Sequence, residues 1–151
     1  MRNYWIIGDI HGEIGLLDRL LENIRRFDPE QIVFVGDYID RRPHTREVVD
    51  RIMDLDVPVA CLMGNHEMMM LNAMEDMGFG YSPIELWYYN GGEATLQSFG
   101  FTSFFSFQSD MDPRYMVINR LAVPTGSNGR KQPCSMPGAR ISAATSWNMG
   151  W

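Results

Sequence analysis

The chain has 151 residues with 45% hydrophobic content, enough for one domain with a buried core. Its formal charge of -6, from 19 acidic and 13 basic side chains, argues against a nucleic-acid or anionic-membrane surface. Two cysteines, Cys61 and Cys134, supply no disulfide framework, and no apolar run reaches the ~18 residues that span a bilayer. The first apolar run turns polar at Asp9, too early for a signal peptide, so the expected compartment is the cytoplasm.

Residues 4–8 read as a first strand. Ile14, Leu17, Leu20, Leu21, Ile24 and Phe27 follow at helical spacing, and Asp28-Pro29 ends that helix. The apolar run Ile32-Val33-Phe34-Val35 marks a second strand over 31–36. Thr45 is the candidate N-cap of a second helix whose apolar face is Val48, Val49, Ile52, Met53 and Leu55. Val57 to Met63 reads as the third strand, with Cys61 in the core and Pro58 tolerated at its start. A third helix is expected from His66 to Met77, stopped by Gly78, with methionines packing flexibly against the core. Further helices are expected over 83–89 and 93–99, and the aromatic stretch 101–107 reads as a strand. From residue 121 onward Gly, Pro, Ser, Asn and Thr replace periodicity, so 1–120 reads as the domain and 121–151 as an irregular or disordered tail.

Strand–helix–strand–helix–strand is the pattern of a parallel α/β sheet with right-handed crossovers, which binds ligands beyond the carboxyl ends of its strands. All three strands run there into Gly followed by Asp or Asn: Gly8-Asp9-Ile10-His11-Gly12, Gly36-Asp37-Tyr38-Ile39-Asp40-Arg41 and Gly64-Asn65-His66-Glu67. Asp9 and His11, two apart on what should be extended backbone, can point to one side and suit manganese, iron or zinc. Asp37 can reach the same point and use its second oxygen for a second cation, to which Asn65 offers a neutral amide oxygen.

As a set, these three motifs resemble the N-terminal signatures of calcineurin-like metallophosphoesterases, and more narrowly bacterial and phage-type serine/threonine protein phosphatases. Tyr89-Asn90-Gly91-Gly92-Glu93-Ala94-Thr95 is similar to a segment those enzymes carry downstream. The resemblance covers residues 4–100 and implies an α/β/β/α sandwich, of which this chain would hold the first half and an irregular C-terminal tail. It also implies two divalent cations, manganese first, with Asp9 and His11 on one, Asp37 bridging and Asn65 on the other. The cations would stabilise the attacking and leaving oxygens of an in-line displacement. His66 would then be the general acid, Asp40 would orient its imidazole, and Arg41 would grip the phosphate.

The sequence departs from the family in two places. Arg42 stands where the hub motif usually continues with glycine, implying either a strained turn or a solvent-facing side chain. The family completes its metal shells with two later histidines, whereas the three here are His11, His44 and His66, and His44 reads as a solvated loop residue. A weak second cation, reduced or absent activity, and a truncated or frame-disrupted member of the family are therefore expected. The expected substrate is a phosphoprotein or phosphopeptide, with no nucleic-acid or membrane partner. The alternatives are a symmetrical dinucleoside-tetraphosphate hydrolase and a non-catalytic remnant or binding module. An open sheet face is further expected to promote self-association.

Overall fold

Strands β1 (Tyr4–Ile7), β2 (Gln31–Phe34) and β3 (Val59–Cys61) form one parallel sheet in that order. They are seen in a computed structural model that describes residues 3–75 and 82–110. Parallel neighbours need crossovers, and helices α1 (Ile14–Arg25) and α2 (Thr45–Met53) supply them. The register aligns Ile7 with Phe34 and Phe34 with Cys61. The three chains therefore leave the sheet at one edge, and each motif begins within a few residues of it.

Alternation decides which sheet face is covered. Ile7, Ile32, Phe34 and Cys61 are buried, together with Leu17, Leu21 and Ile24 of α1 and Val48, Val49 and Ile52 of α2. The opposite row starts at an exposed Ile6, 71% accessible, flanked by exposed Tyr4 and Val35. Helix α3 (Asn65–Met74) buries Met70, packs Met69 and Met74 against the core and leaves Met68 outside. Helices α4 (Pro83–Tyr89), α5 (Gly92–Ser98) and α6 (Phe104–Asp110) follow. Pro at the first position and the Ser82 hydroxyl, accepting from the Glu85 N–H at 3.4 Å, start α4.

Two expectations are corrected here. The aromatic stretch near 101–107 is not a strand: Phe104 and Phe107 lie one helical turn apart, with ring centroids 5.9 and 5.8 Å from Trp87. Burying both against one indole needs helical spacing, which outweighs the strand preference of the aromatics. Thr45 is not the N-cap of α2 but its first residue, after His44. Its hydroxyl is drawn inward instead, 3.4 Å from the buried hydroxyl of Thr95. Strands β2 and β3 are also shorter than expected, and α1 stops at Arg25. The expected end of α3 at Met77-Gly78 and the tail over 121–151 lie outside the described residues. Among the described residues no helix is long and apolar enough to cross a membrane.

Candidate metal centre

The first motif is fastened to the second through its backbone. The His11 N–H donates to the Asp37 carbonyl and the Gly12 N–H to the Tyr38 carbonyl, both at 2.9 Å. Asp9 and His11 do not sit on extended backbone, as the spacing suggested; their φ values are 53° and 45°, in the left-handed region. Asp37, Asp40 and Arg41 are left-handed too, at 56°, 70° and 66°. Such residues cost about 1–3 kcal/mol each unless their surroundings hold them. Five of the six left-handed non-glycine residues among the described residues fall in these strand-end loops, the sixth being Asp28 after α1.

Asp9, His11 and Asp37 each offer one ligand atom, and these atoms all lie within 4.8 Å of one another. The His11 Nδ1 is 2.8 Å from the Ile39 carbonyl oxygen, which can only accept, so Nδ1 carries the proton. In the neutral ring Nε2, 4.0 Å from the Asp9 carboxylate, then offers its lone pair to a cation. Two carboxylates and a neutral imidazole of fixed tautomer fit a borderline divalent cation. Asp9 leaves the cluster open to solvent, with its side chain 85% exposed.

The third motif meets the second at two glycines. Gly36, at φ 99°, has no room for a side chain against Gly64, and Gly64 has none against Asp37. This approach brings the first turn of α3 onto the hub, where the His66 N–H donates to Asp37 Oδ1 at 3.0 Å. Asn65 is exposed on that turn. Beneath it Glu67 is fully buried and accepts three short backbone N–H bonds, from Asp37 and Gly64 at 2.8 Å and Tyr38 at 2.9 Å. Burial pushes the Glu67 carboxyl up from its usual range, and these donors pull it back. The Tyr38 hydroxyl donates to the Leu62 carbonyl at 2.7 Å, and burial pushes that phenol up as well.

His66 and Asp40 form a buried pair with Nδ1 and Oδ2 2.8 Å apart. The Trp87 indole N–H reaches both Asp40 oxygens, at 3.0 and 2.9 Å, and the Thr95 hydroxyl donates to Oδ1 at 2.7 Å. Thr95 Oγ1 also accepts the Asp40 N–H at 2.9 Å. Burial pushes the Asp40 carboxyl up, opposed by Thr95, His66 and Trp87. Arg41 Nη2 stands 3.0 Å from His66 Nε2. A guanidinium only donates, so Nε2 accepts here and Nδ1–H donates to Asp40. The His11 and His66 rings meet edge to face at 4.5 Å, which joins the ligand cluster to the buried pair.

Arg42 faces solvent and pairs with Glu13 at 2.9 Å, so its side chain needs no glycine-like space. His44 lies outside the cluster, exposed beside Glu47 at 3.2 Å. Sequence reasoning gave no role to Glu67, Trp87 or Thr95. Glu67 had a signal, since it stands three residues after the helix-entry Gly64, at capping-box spacing. Thr95, 55 residues from Asp40, stood in the segment 89–95 without a role, and Trp87, 47 residues away, carried no signal.

On this α/β scaffold three strand-end loops converge on a carboxylate–imidazole cluster that could hold a metal ion and on a buried His–Asp pair. The chain belongs to the calcineurin-like phosphoesterase family, whose profile matches residues 2–127. It is 37% identical over 94 residues to serine/threonine-protein phosphatase 1 of Salmonella typhimurium, covering 61% of this chain and 40% of the relative. It is 38% identical over 94 residues to serine/threonine-protein phosphatase 2 of Escherichia coli, covering 61% and 39%. A symmetrical bis(5'-nucleosyl)-tetraphosphatase of Methylococcus capsulatus is 39% identical over 69 residues, covering 44% and 24%. The match thus spans about two-fifths of the two protein phosphatases.

Proposed function

We propose that this chain is a metal-dependent phosphoester hydrolase acting on serine/threonine phosphoproteins or phosphopeptides. The observation that supports it most is the buried His66–Asp40 pair in edge contact with the Asp9–His11–Asp37 cluster. Divalent cations, manganese before iron or zinc, would supply charge that stabilises the attacking and leaving oxygens. Asp9 and His11 would hold the first, Asp37 would bridge, and Asn65 would hold the second. With Nε2 freed and protonated, His66 would pass that proton to the leaving oxygen, with Asp40 fixing its ring through Nδ1–H. Arg41 would turn its planar fork onto the phosphate, which also clears His66 Nε2. The cytoplasm is the compartment we assign.

The second cation would have one shared carboxylate and one amide oxygen from the described residues, and the sequence has no histidine beyond His66. Among the described residues water would complete that shell, which would make the affinity low. The 151-residue chain is expected to hold at most one cation tightly and to turn over little substrate until manganese is millimolar. Metal analysis with p-nitrophenyl phosphate turnover across a manganese titration measures both quantities. Two cations retained through desalting together with robust phosphopeptide turnover would refute the weak second site. No turnover at millimolar manganese would leave the non-catalytic binding module as the reading.

The tetraphosphatase relatives favour a second substrate class, a symmetrical dinucleoside tetraphosphate. Phosphopeptide and diadenosine tetraphosphate assayed side by side separate the two. The exposed row Tyr4, Ile6 and Val35 supports our further proposal that the chain associates with itself through this sheet face. Light scattering on dilution is expected to show mass falling toward the monomer. A monodisperse monomer at every concentration rules it out.

A further inference from the structure

We infer that Glu67 is the positioning residue of the metal centre, setting where the Asp37 carboxylate and the Asn65-bearing turn stand relative to each other. The inference rests on the metal-site reading above. Glu67 is fully buried on α3, and its carboxylate is shared by two chain segments. Oε2 accepts from Asp37 and from Gly64, both at 2.8 Å, so one atom ties the hub loop to the entry of α3. Oε1 accepts from Tyr38 at 2.9 Å, with the Ile39 N–H further off at 3.4 Å.

A glutamate that merely caps its helix needs only the Gly64 N–H. The bonds to Asp37 and Tyr38 lie outside the helix and have no capping role. They hold the backbone N–H of a residue whose φ of 56° would otherwise relax. The Asp37 carbonyl in turn takes the His11 N–H, and Asp37 Oδ1 takes the His66 N–H. Ligands from all three motifs are therefore registered through the peptide units that Glu67 grips. Contacts of this kind behind a ligand shell typically change metal affinity by about 10–100-fold.

Glu67→Gln tests it, because an amide has one acceptor oxygen and turns an NH2 toward the other N–H donors. Manganese titration by calorimetry on the folded 151-residue protein should show binding about 10–100-fold weaker than the parent. Ile52→Val, in the core of α2, is the control for lost stability alone and should leave manganese affinity unchanged. A folded Glu67→Gln protein that binds within about twofold of the parent, far short of the change expected for such a contact, overturns the inference and leaves the metal site standing. A parent that binds no manganese overturns the metal-site reading and the inference together. If Glu67→Gln does not fold, amide exchange in the parent decides. Protection of the Asp37, Tyr38 and Gly64 amides comparable to that of α3 supports the inference, and exchange at open-loop rates overturns it.

Discussion

Asp37→Asn is expected to remove tight metal binding from the chain. The substitution keeps shape: an asparagine oxygen can still accept the His66 N–H that now meets Oδ1 at 3.0 Å. The loop should also survive, since Glu67 and His11 hold the residue by its backbone N–H and carbonyl. What disappears is negative charge at the position shared by both proposed cations, where an NH2 would face the metal instead. The loss should exceed the ~10–100-fold typical of contacts behind the ligands. Asp9→Asn should cost less, because its exposed side chain can be replaced by water. Manganese titration of both variants checks the order. If Asp37→Asn binds like the parent while Asp9→Asn does not, the bridge moves from Asp37 to Asp9.

The sheet and its first two crossovers were legible because their signals are local. Leu17, Leu21 and Ile24 repeat at helical spacing, and the strands are short apolar runs that end at glycine. Parallel topology then placed the three motifs at one edge without knowledge of any contact. The errors arose where tertiary contacts decide. Phe104 and Phe107 look like strand residues until the Trp87 indole is placed against both. Thr45 has the composition of a cap, but its hydroxyl faces a buried threonine.

The Asp9–His11–Asp37 cluster of the candidate site was legible as a set of side chains and illegible as a backbone. Asp9 and His11 were placed together by assuming extended geometry, whereas both are left-handed and His11 is steered by bonds to Asp37 and Ile39. No side-chain pattern announces such φ values at aspartate or histidine. The groups that hold Asp40 come from α4 and α5, far along the chain. Trp87 reads as ordinary core, and Thr95 only as the end of the segment 89–95, until the carboxylate that both bond is seen.

His66→Asn is expected to leave metal content nearly unchanged and to reduce turnover by about 10²–10⁴-fold for an alkyl leaving group such as phosphoserine. The asparagine amide can still donate to Asp40, which also keeps Trp87 and Thr95 as partners, so the buried carboxylate is not stranded. The variant would therefore isolate the proton that the proposed reaction gives to the leaving oxygen. A p-nitrophenolate leaves as a stable anion and requires that proton less, so its loss should be clearly smaller. Turnover of a phosphoserine peptide and of p-nitrophenyl phosphate, each measured at millimolar manganese, gives the two ratios. Equal losses for both substrates would deny His66 the role of acid. A fall in bound metal would instead place its imidazole among the ligands, which the 4.5 Å contact with the His11 ring makes the natural alternative.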